Sequence, residues 1–191
     1  IDRRAELLAL EAAAAGGFAP RLVHARPERG ELVLQYVGGR TWSRADARAA
    51  DGLRRIGARL RALHALPIPP GLPPFDPAAA IARYLATVPA QPGPLPRAQL
   101  AARAATALHD YAAPFADGTN AGRALCHHDL HHRNVVDDGR LVFVDWEYAA
   151  AGDPWLDLAA YARYHELDAD ACAALLAAYG ASPGAATGQA L

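Results

Sequence analysis

His127-His128-Asp129-Leu130-His131-His132-Arg133-Asn134 is followed, after a short apolar segment, by Phe143-Val144-Asp145-Trp146-Glu147. Asp129 and Asn134 are five residues apart, and Asp145 comes eleven residues after Asn134. Carboxylate and amide oxygens are the ligands that Mg²⁺ prefers in proteins. A carboxylate within hydrogen-bond reach of a hydroxyl group can act as its general base. The pattern therefore indicates one site that combines a base with a magnesium ion.

The segment between the two candidate magnesium ligands predicts a β-hairpin. Two short β-branched runs flank Asp138-Gly139, a pair typical of a two-residue hairpin turn. Antiparallel pairing across this turn sets residue 134 opposite residue 143. The hairpin is therefore predicted to return Asp145 to about one residue pair from Asn134, where one cation could bridge both side chains to the phosphates of a nucleotide.

The same spacing occurs in the catalytic loop of protein kinases, H-R-D-x-x-x-x-N followed by a later Asp. On that template Asp129 is the base that orients and deprotonates an acceptor hydroxyl. Asn134 and Asp145 hold Mg²⁺, and the phosphoryl donor is ATP. We expect His127 to hold the loop by hydrogen bonds and not to carry a proton.

The residues after Asp145 read D-W-E-Y and then G-D-P-x-x-D-L-A. This segment resembles the aminoglycoside phosphotransferase and choline kinase superfamily, and it is nearest to the bacterial choline, ethanolamine and thiamine kinase branch. The resemblance covers about residues 1–180 and is most specific over 127–158. It implies an α+β, protein-kinase-like fold, consisting mostly of the helical large lobe with a truncated small lobe.

The resemblance also implies a division of the chain. Residues 1–37 would be a remnant of the small lobe, with a helix, two strands and the hinge. Residues 38–191 would form the large helical lobe, with the catalytic loop and the metal-binding hairpin. Glu6 would pair with the lysine that binds the nucleotide phosphates, and Gln35, Tyr36 and Val37 would offer backbone groups to adenine. Asp157 would fix the backbone of the catalytic loop.

Aromatic residues concentrate after Asp145, and the faces of Trp and Tyr attract quaternary ammonium groups. The candidate acceptor residues are Trp146, Glu147, Tyr148 and Trp155. They favour an acceptor like choline, ethanolamine or thiamine, although core packing would also explain the aromatic residues. An aminoglycoside acceptor stays open as the alternative; it would need several acidic groups, and those present on the acceptor side are scattered.

Two further hypotheses come from other classes of protein. Four histidines lie within six residues beside Asp129, and His127 and His131 are four apart, so a metal-hydrolase site is one of them. A non-catalytic kinase-like binding protein is the other. We expect His131 and His132 to be solvated. His128 occupies a position where Gly or Asn is expected.

The composition lacks two residue types. There is no Met, and all nineteen Lys and Arg residues are Arg. The kinase template needs a strand lysine and a Gly-rich loop over the phosphates, and neither is present. We therefore expect the chain to be a fragment or a processed form that lacks the first three small-lobe strands and could not turn over efficiently by itself.

Composition also excludes some classes of function. A net charge of −1 and 52% hydrophobic residues are typical of a globular domain and not of a nucleic-acid-binding protein. No apolar run approaches 18 residues, so no membrane span is predicted. Two cysteines give no disulfide framework. A cytoplasmic enzyme that uses ATP is expected, and its oligomeric state is not indicated.

Local signals predict the secondary structure around the motif. Strands are expected at 21–25, 31–37 and 123–127. Leu53, Ile56, Leu60 and Leu63 indicate the core side of a helix after Ser43, which begins with a capping box. Other helices are predicted over 3–15, from Asp76-Pro77 to about Val88, over 97–115, from Asp153-Pro154, and from Asp168 to about Tyr179.

Overall fold

The structure, a computed structural model, describes residues 2–87, 99, 102–103, 105–106 and 122–181. It divides into two compact units, Ile1–Pro73 with Gly122–Leu191, and Pro74–Ala121. All predicted site residues belong to the first unit. Helices and short antiparallel strands both occur, which confirms the α+β class. The predicted lobe boundary after residue 37 stays a prediction.

The described helices and strands occur in groups along the chain. The α-helices are α1 (Arg3–Ala15), α2 (Arg44–Arg48), α3 (Ala50–His64), α4 (Pro77–Thr87), α5 (Pro154–His165) and α6 (Ala169–Tyr179). The strands are β1 (Leu22–Arg26), β2 (Glu31–Leu34), β3 (Arg40–Thr41), β4 (Ala124–Cys126), β5 (Val135–Asp137), β6 (Leu141–Phe143) and β7 (Ala150–Gly152). Short 3₁₀ turns occur at Pro27–Arg29 and His132–Asn134.

Helix α1 begins and ends as the sequence predicts. Its N-cap Asp2 accepts hydrogen bonds from the backbone N–H groups of Arg4 and Ala5, which satisfies donors that a helix start leaves unpaired. Gly17, with φ of +74°, provides the left-handed residue that ends many helices. The side facing the core is lined by small residues and one leucine, Ala5, Ala9, Leu10 and Ala13.

Helix α3 is the central helix of the first unit. Its predicted core side is confirmed, because Leu53, Ile56, Leu60 and Leu63 are at most 2% exposed. The predicted capping box at Ser43 and Asp46 is also present. The sequence suggested one helix after Ser43, but Ala49 is extended and separates α2 from α3. This break brings the backbone of Gly52 against the Asp46 carbonyl, where no side chain fits.

Substituting alanine for Gly57 is expected to destabilise the packing of α3 against α6. An added Cβ would lie 2.7 Å from the Ala178 Cβ and 2.8 Å from the Leu175 carbonyl oxygen, so the helices must separate. Overpacking of this kind costs about 1–3 kcal/mol, and the better helix propensity of alanine recovers up to about 1 kcal/mol. Urea unfolding should show the loss. Gly38→Ala is the matched control, because a Cβ there meets open space; equal stability of both variants would contradict the prediction.

The predicted hairpin between Asn134 and Asp145 forms, but its predicted register is wrong by one residue. Val135 pairs with Phe143 and Asp137 pairs with Leu141, which leaves a three-residue loop with Gly139 at φ +100°. The Asp137 carboxylate accepts the Gly139 N–H at 3.1 Å. A side chain that closes a turn in this way competes with the preference of an Asp-Gly pair for a two-residue hairpin turn. Residue 134 consequently lies beside 144, since the Val144 N–H donates to the Asn134 carbonyl at 3.0 Å.

Two further sheets complete the first unit. Strands β1 and β2 pair antiparallel around the Pro27–Arg29 turn, as predicted. Strand β4, which leads into the catalytic loop, pairs with β7, an Ala-Gly segment that the sequence did not mark as a strand. Strand β3 adds to β5 and β6 to form a three-stranded sheet. The catalytic loop therefore begins from a buried strand.

The second unit is described mainly by α4. The side chain of Asp76 accepts the Ala79 N–H at 2.9 Å, and Pro77 is the first helical residue, as the Asp-Pro pair predicts. The proline-rich segment 89–96 and most of the helix predicted over 97–115 lie outside the described residues. Within the described residues of both units, none of the helices combines the length and hydropathy that crossing a bilayer requires.

Candidate active site

Asp129 and Asn134 lie side by side in the loop that follows β4. The Asn134 Nδ2 donates to the Asp129 backbone carbonyl at 2.9 Å and lies 3.4 Å from the Asp129 carboxylate. Asn134 is buried, whereas 39% of the Asp129 side chain is exposed. Because Nδ2 is directed to Asp129, the amide oxygen Oδ1 is the atom of Asn134 that could ligate a cation.

Asp145 follows β6 in a left-handed backbone conformation, with φ of +68°. This conformation is uncommon outside glycine and is frequent at functional positions. Its neighbour Val144 is hydrogen-bonded to Asn134, so the chain places Asp145 next to the predicted amide ligand. The Asp145 carboxylate is exposed. Bound Mg²⁺ keeps several water ligands, so one carboxylate and one amide oxygen are a suitable set of protein ligands for it.

His127 is fully buried and connects the two segments. Its Nε2 donates to the Val144 carbonyl at 3.0 Å, and its Nδ1 accepts the Asp129 N–H at 3.3 Å. Burial lowers the pKa of His127, so the ring is neutral and uses both nitrogens as this tautomer allows. These contacts agree with the supporting role expected for His127.

Asp157 fixes the backbone of the loop from α5. Its carboxylate accepts the His127 N–H at 2.9 Å and the His128 N–H at 2.7 Å, and it is completely buried. Burial by itself would raise the pKa of Asp157, but the hydrogen bond from His64 lowers it below the usual range. The geometry is that expected of a residue that holds the catalytic loop.

His64 and Tyr179 extend this network, and sequence reasoning missed both roles. The His64 Nε2 donates to Asp157 at 3.0 Å, and its Nδ1 lies 2.9 Å from the Tyr179 hydroxyl. In the neutral ring Nε2 donates to the carboxylate, which can only accept, and Nδ1 accepts from the tyrosine hydroxyl. In the sequence, the signal for these roles was limited to a histidine next to Leu63, a buried residue of α3. The network joins α3, α5 and α6 behind the loop.

The backbone conformation at position 128, just before Asp129, is one that glycine or asparagine adopts more readily than histidine. His128 has φ of +62°, a left-handed conformation that costs most side chains free energy. The loop keeps this conformation because Asp157 accepts the His128 N–H. The unusual residue at position 128 therefore leaves the backbone of the loop in place.

Glu6 and Glu147 approach the same arginine. The Arg3 Nη1 is 2.7 Å from the Glu6 carboxylate and 3.5 Å from that of Glu147. Glu6 is 8% exposed, so it is not part of a solvated helix side. The proposed nucleotide-side glutamate is thereby linked to the segment that follows Asp145, and Glu147 is engaged by a cation of the protein itself.

The proposed hinge residues follow β2. The Gln35 N–H donates to the Arg21 carbonyl at 2.8 Å, so this group is already used within the β1–β2 hairpin. Tyr36 is 87% exposed, and Val37 is half-buried. Their proposed contact with adenine stays a prediction.

Comparisons with known proteins identify the family of the chain. The model of a family described as "Phosphotransferase enzyme family" matches residues 2–191. The chain belongs to this family. Among curated proteins, none matches the chain.

Several solved structures share the fold of this phosphotransferase family member. A choline/ethanolamine kinase family protein from Mesorhizobium loti is 27% identical with a TM-score of 0.73, over 95% of this chain and 62% of that chain. The choline kinase LicA from Streptococcus pneumoniae is 25% identical with a TM-score of 0.74, over 94% and 62%. The spectinomycin phosphotransferase APH(9)-Ia is 14% identical with a TM-score of 0.56, over 93% and 64%, which shows the fold alone. The chain thus spans less than two thirds of the length of these relatives.

The aromatic candidates for acceptor binding are not equivalent in this phosphotransferase family member. Trp146 is 1% exposed, its Nε1 donates to the Phe143 carbonyl at 3.0 Å, and its ring packs 4.7 Å from that of His127. Trp146 belongs to the core and presents no exposed ring face to an acceptor, so it is not among the proposed acceptor residues. Tyr148 and Trp155 are half-buried and remain proposals.

His131 and His132 were expected to be solvated, but both contact other side chains of the protein. The His131 ring stacks on Tyr164 at 4.8 Å, and its Nε2 lies 3.9 Å from the Asp129 carboxylate. The His132 N–H donates to the Nε2 of the buried His165 at 3.2 Å. Their environment arises from α5, which is distant in sequence. This contact could not be read from residues 127–134 alone.

The metal-hydrolase hypothesis has no support in this arrangement. The segment from His127 to His131 is not a helix, and both ring nitrogens of His127 are hydrogen-bonded. Over the described ranges, His64, Cys126 and Asp157 are the one triad of possible ligands that converges. The hydrogen bonds of Asp157 to the loop account for that triad, and burial raises the pKa of the Cys126 thiol.

Acid is expected to destabilise this family member through His165. The Nδ1 of His165 donates to the Tyr161 carbonyl at 2.8 Å and Nε2 accepts from His132, and the second bond is possible only while the ring is neutral. Burial lowers the pKa of His165 to about 4 from the ordinary 6.5. The unfolded chain therefore binds the extra proton first, and up to about 3 kcal/mol of stability is lost as pH falls from about 6.5 to 4.

Urea unfolding at several pH values measures this loss. His165→Gln should flatten the dependence between pH 6.5 and 4, although the buried His127 and His128, whose pKa values burial also lowers, will keep part of it. His24→Gln is the matched control, because His24 is exposed on β1. An unchanged slope in the His165 variant would contradict the prediction.

Proposed function

We propose that the full-length parent of this chain is an ATP-dependent kinase that phosphorylates the hydroxyl of a small cationic acceptor of the choline, ethanolamine or thiamine type. The observation that supports it most directly is the juxtaposition of Asp129, Asn134 and Asp145. Asn134 is hydrogen-bonded to Asp129 and to Val144, the residue next to Asp145. Two relatives with 25% identity or more are a choline/ethanolamine kinase family protein and a choline kinase. The cytoplasm, where ATP is available, is the proposed compartment.

In the proposed reaction Asp129 accepts a hydrogen bond from the acceptor hydroxyl and takes its proton. The acceptor oxygen forms a bond to the γ-phosphorus of ATP while the bond from that phosphorus to the β–γ bridging oxygen breaks, and ADP leaves. Asn134 and Asp145 would hold Mg²⁺, which supplies charge neutralisation at the phosphates. Phosphoryl transfer is mostly positioning and electrostatics, so a base and two oxygen ligands on two segments joined by hydrogen bonds are what the reaction needs.

A second candidate function is phosphorylation of an aminoglycoside. An antibiotic phosphotransferase shares the fold, and three acidic residues lie around the end of α5, namely Glu166, Asp168 and Asp170. The proposal for a smaller acceptor is favoured by the greater similarity of the choline kinases and by the half-buried Tyr148 and Trp155.

ADP formation by the full-length parent tests the proposal. The enzyme would be assayed with ATP and Mg²⁺ against choline, ethanolamine, thiamine and kanamycin, each with the Asp129→Ala variant alongside. Turnover that requires one of the first three acceptors and disappears in the variant is the expected result. Turnover on kanamycin alone would favour the second candidate, and the absence of nucleotide binding would reject the kinase.

A further inference from the structure

Arg59 makes three contacts from the middle of α3. Its Nε donates to the Leu141 carbonyl at 2.9 Å, and its Nη2 donates to the Gly17 carbonyl. Its guanidinium carbon lies 3.9 Å from the centre of the Phe18 ring, a distance typical of a cation–π contact. One side chain thus binds both the connection that follows α1 and the strand β6.

The charge of Arg59 is not explained by an ion pair. Over the part of the chain that the structure describes, no carboxylate lies within 4.0 Å of its guanidinium group, although nearby Arg55 pairs with Asp137 at 2.6 Å. Partial burial lowers the pKa of Arg59, which reflects the free-energy cost of desolvating a charge. The planar guanidinium fork compensates by orienting two backbone carbonyls in a fixed geometry.

The two segments that Arg59 binds are directly joined next to it. The Phe143 N–H donates to the Phe18 carbonyl at 2.7 Å, and Phe18 is 4% exposed. Phe143 lies two residues before Asp145. On the other side, Gly17 follows the end of α1, the helix that holds Glu6. Arg59 therefore reinforces the junction between the α1 connection and the strand that leads to the proposed metal ligand.

We propose that Arg59 is a positioning residue for the magnesium-binding segment, holding β6 and hence Asp145 in register with the Gly17-Phe18 connection. This inference rests on the proposed function, because it requires Asp145 to ligate Mg²⁺. Without the guanidinium, β6 and the connection can separate, and the Asp145 carboxylate occupies its ligand position for a smaller fraction of the time. Apparent magnesium affinity, and not only stability, should then fall.

The test is the free-Mg²⁺ dependence of binding of a non-hydrolysable ATP analogue, measured beside that of the initial rate, in the full-length parent and in Arg59→Met and Arg59→Lys. The half-saturating concentration of free Mg²⁺ should rise about tenfold in Arg59→Met, as for substitutions of groups that orient metal ligands. It should rise less in Arg59→Lys, which keeps the charge. This concentration does not depend on how much of the enzyme is folded, so a purely structural role would leave it unchanged.

Arg55→Met is the matched control. Arg55 lies one turn earlier on α3 and binds the same hairpin, but it holds Asp137 at the turn, at 2.6 and 2.8 Å. Its loss should lower the midpoint of unfolding and leave the half-saturating Mg²⁺ concentration unchanged.

The outcomes separate this inference from the proposed function. A parent with no Mg²⁺-dependent turnover overturns both. An active parent whose Arg59→Met variant keeps the parental Mg²⁺ response overturns the positioning role alone, as does an equal shift in Arg55→Met. If Arg59→Met does not fold, an unshifted Arg59→Lys overturns it, and a shifted Arg59→Lys supports it.

Discussion

Replacing Asp129 by asparagine is expected to lower kcat of the full-length parent by about 10²–10⁴-fold, the usual contribution of a general base. The KM for ATP should change little, because the nucleotide side depends on Asn134 and Asp145. Asparagine has nearly the same shape and can still accept the contact from Asn134, so the loop should stay folded. What it lacks is the ability to take the proton of the acceptor hydroxyl.

Steady-state kinetics with the acceptor that supports turnover in the ADP-formation assay measure this effect. Asp170→Asn is the matched control, because Asp170 is an exposed carboxylate in the first turn of α6. Its kcat should equal that of the parent. If Asp129→Asn keeps kcat within about twofold of the control, Asp129 is not the base, since even a weak general base contributes more.

Replacing Asp157 by alanine is expected to cost about 3–5 kcal/mol of unfolding free energy, as when one partner of a buried charged network is removed. The substitution leaves the backbone N–H groups of His127 and His128 and the Nε2 of His64 without their acceptor in the protein interior. Urea unfolding followed by circular dichroism measures the loss. The left-handed His128 should also lose the contact that keeps its conformation.

Asp153→Ala is the control for that measurement. Asp153 is also buried and lies at the start of the same helix, but its carboxylate accepts the Trp155 N–H as a helix cap. Loss of a cap costs about 1 kcal/mol. Equal destabilisation by the two alanine substitutions would show that the Asp157 network adds nothing beyond capping.

Local chemistry explains why part of this site could be predicted. The Asp138-Gly139 pair and the β-branched runs indicated a hairpin, and the hairpin does return Asp145 to Asn134. The register was wrong by one residue because the Asp137 carboxylate accepts the Gly139 N–H and closes a three-residue loop in place of the two-residue turn. The turn preference of the Asp-Gly pair by itself does not include that contact.

The remaining differences depend on tertiary packing. Trp146 looked like an acceptor residue because composition does not report burial. The His64 contact with Asp157 spans 93 residues, and its contact with Tyr179 spans 115, so no local pattern indicated the network. Strand β7 consists of small residues with low strand propensity, and it forms because β4 offers a partner.

His127 gives the site a fixed spacing. One imidazole ring separates the Asp129 backbone from the Val144 carbonyl, and it is rigid, neutral and bonded at both ends. The ring therefore sets the distance between the segment that would activate the nucleophile and the segment that would hold the metal. A longer side chain would widen the gap between them and a shorter one would leave it undefined, so the in-line geometry of transfer would depend on the width of a single ring.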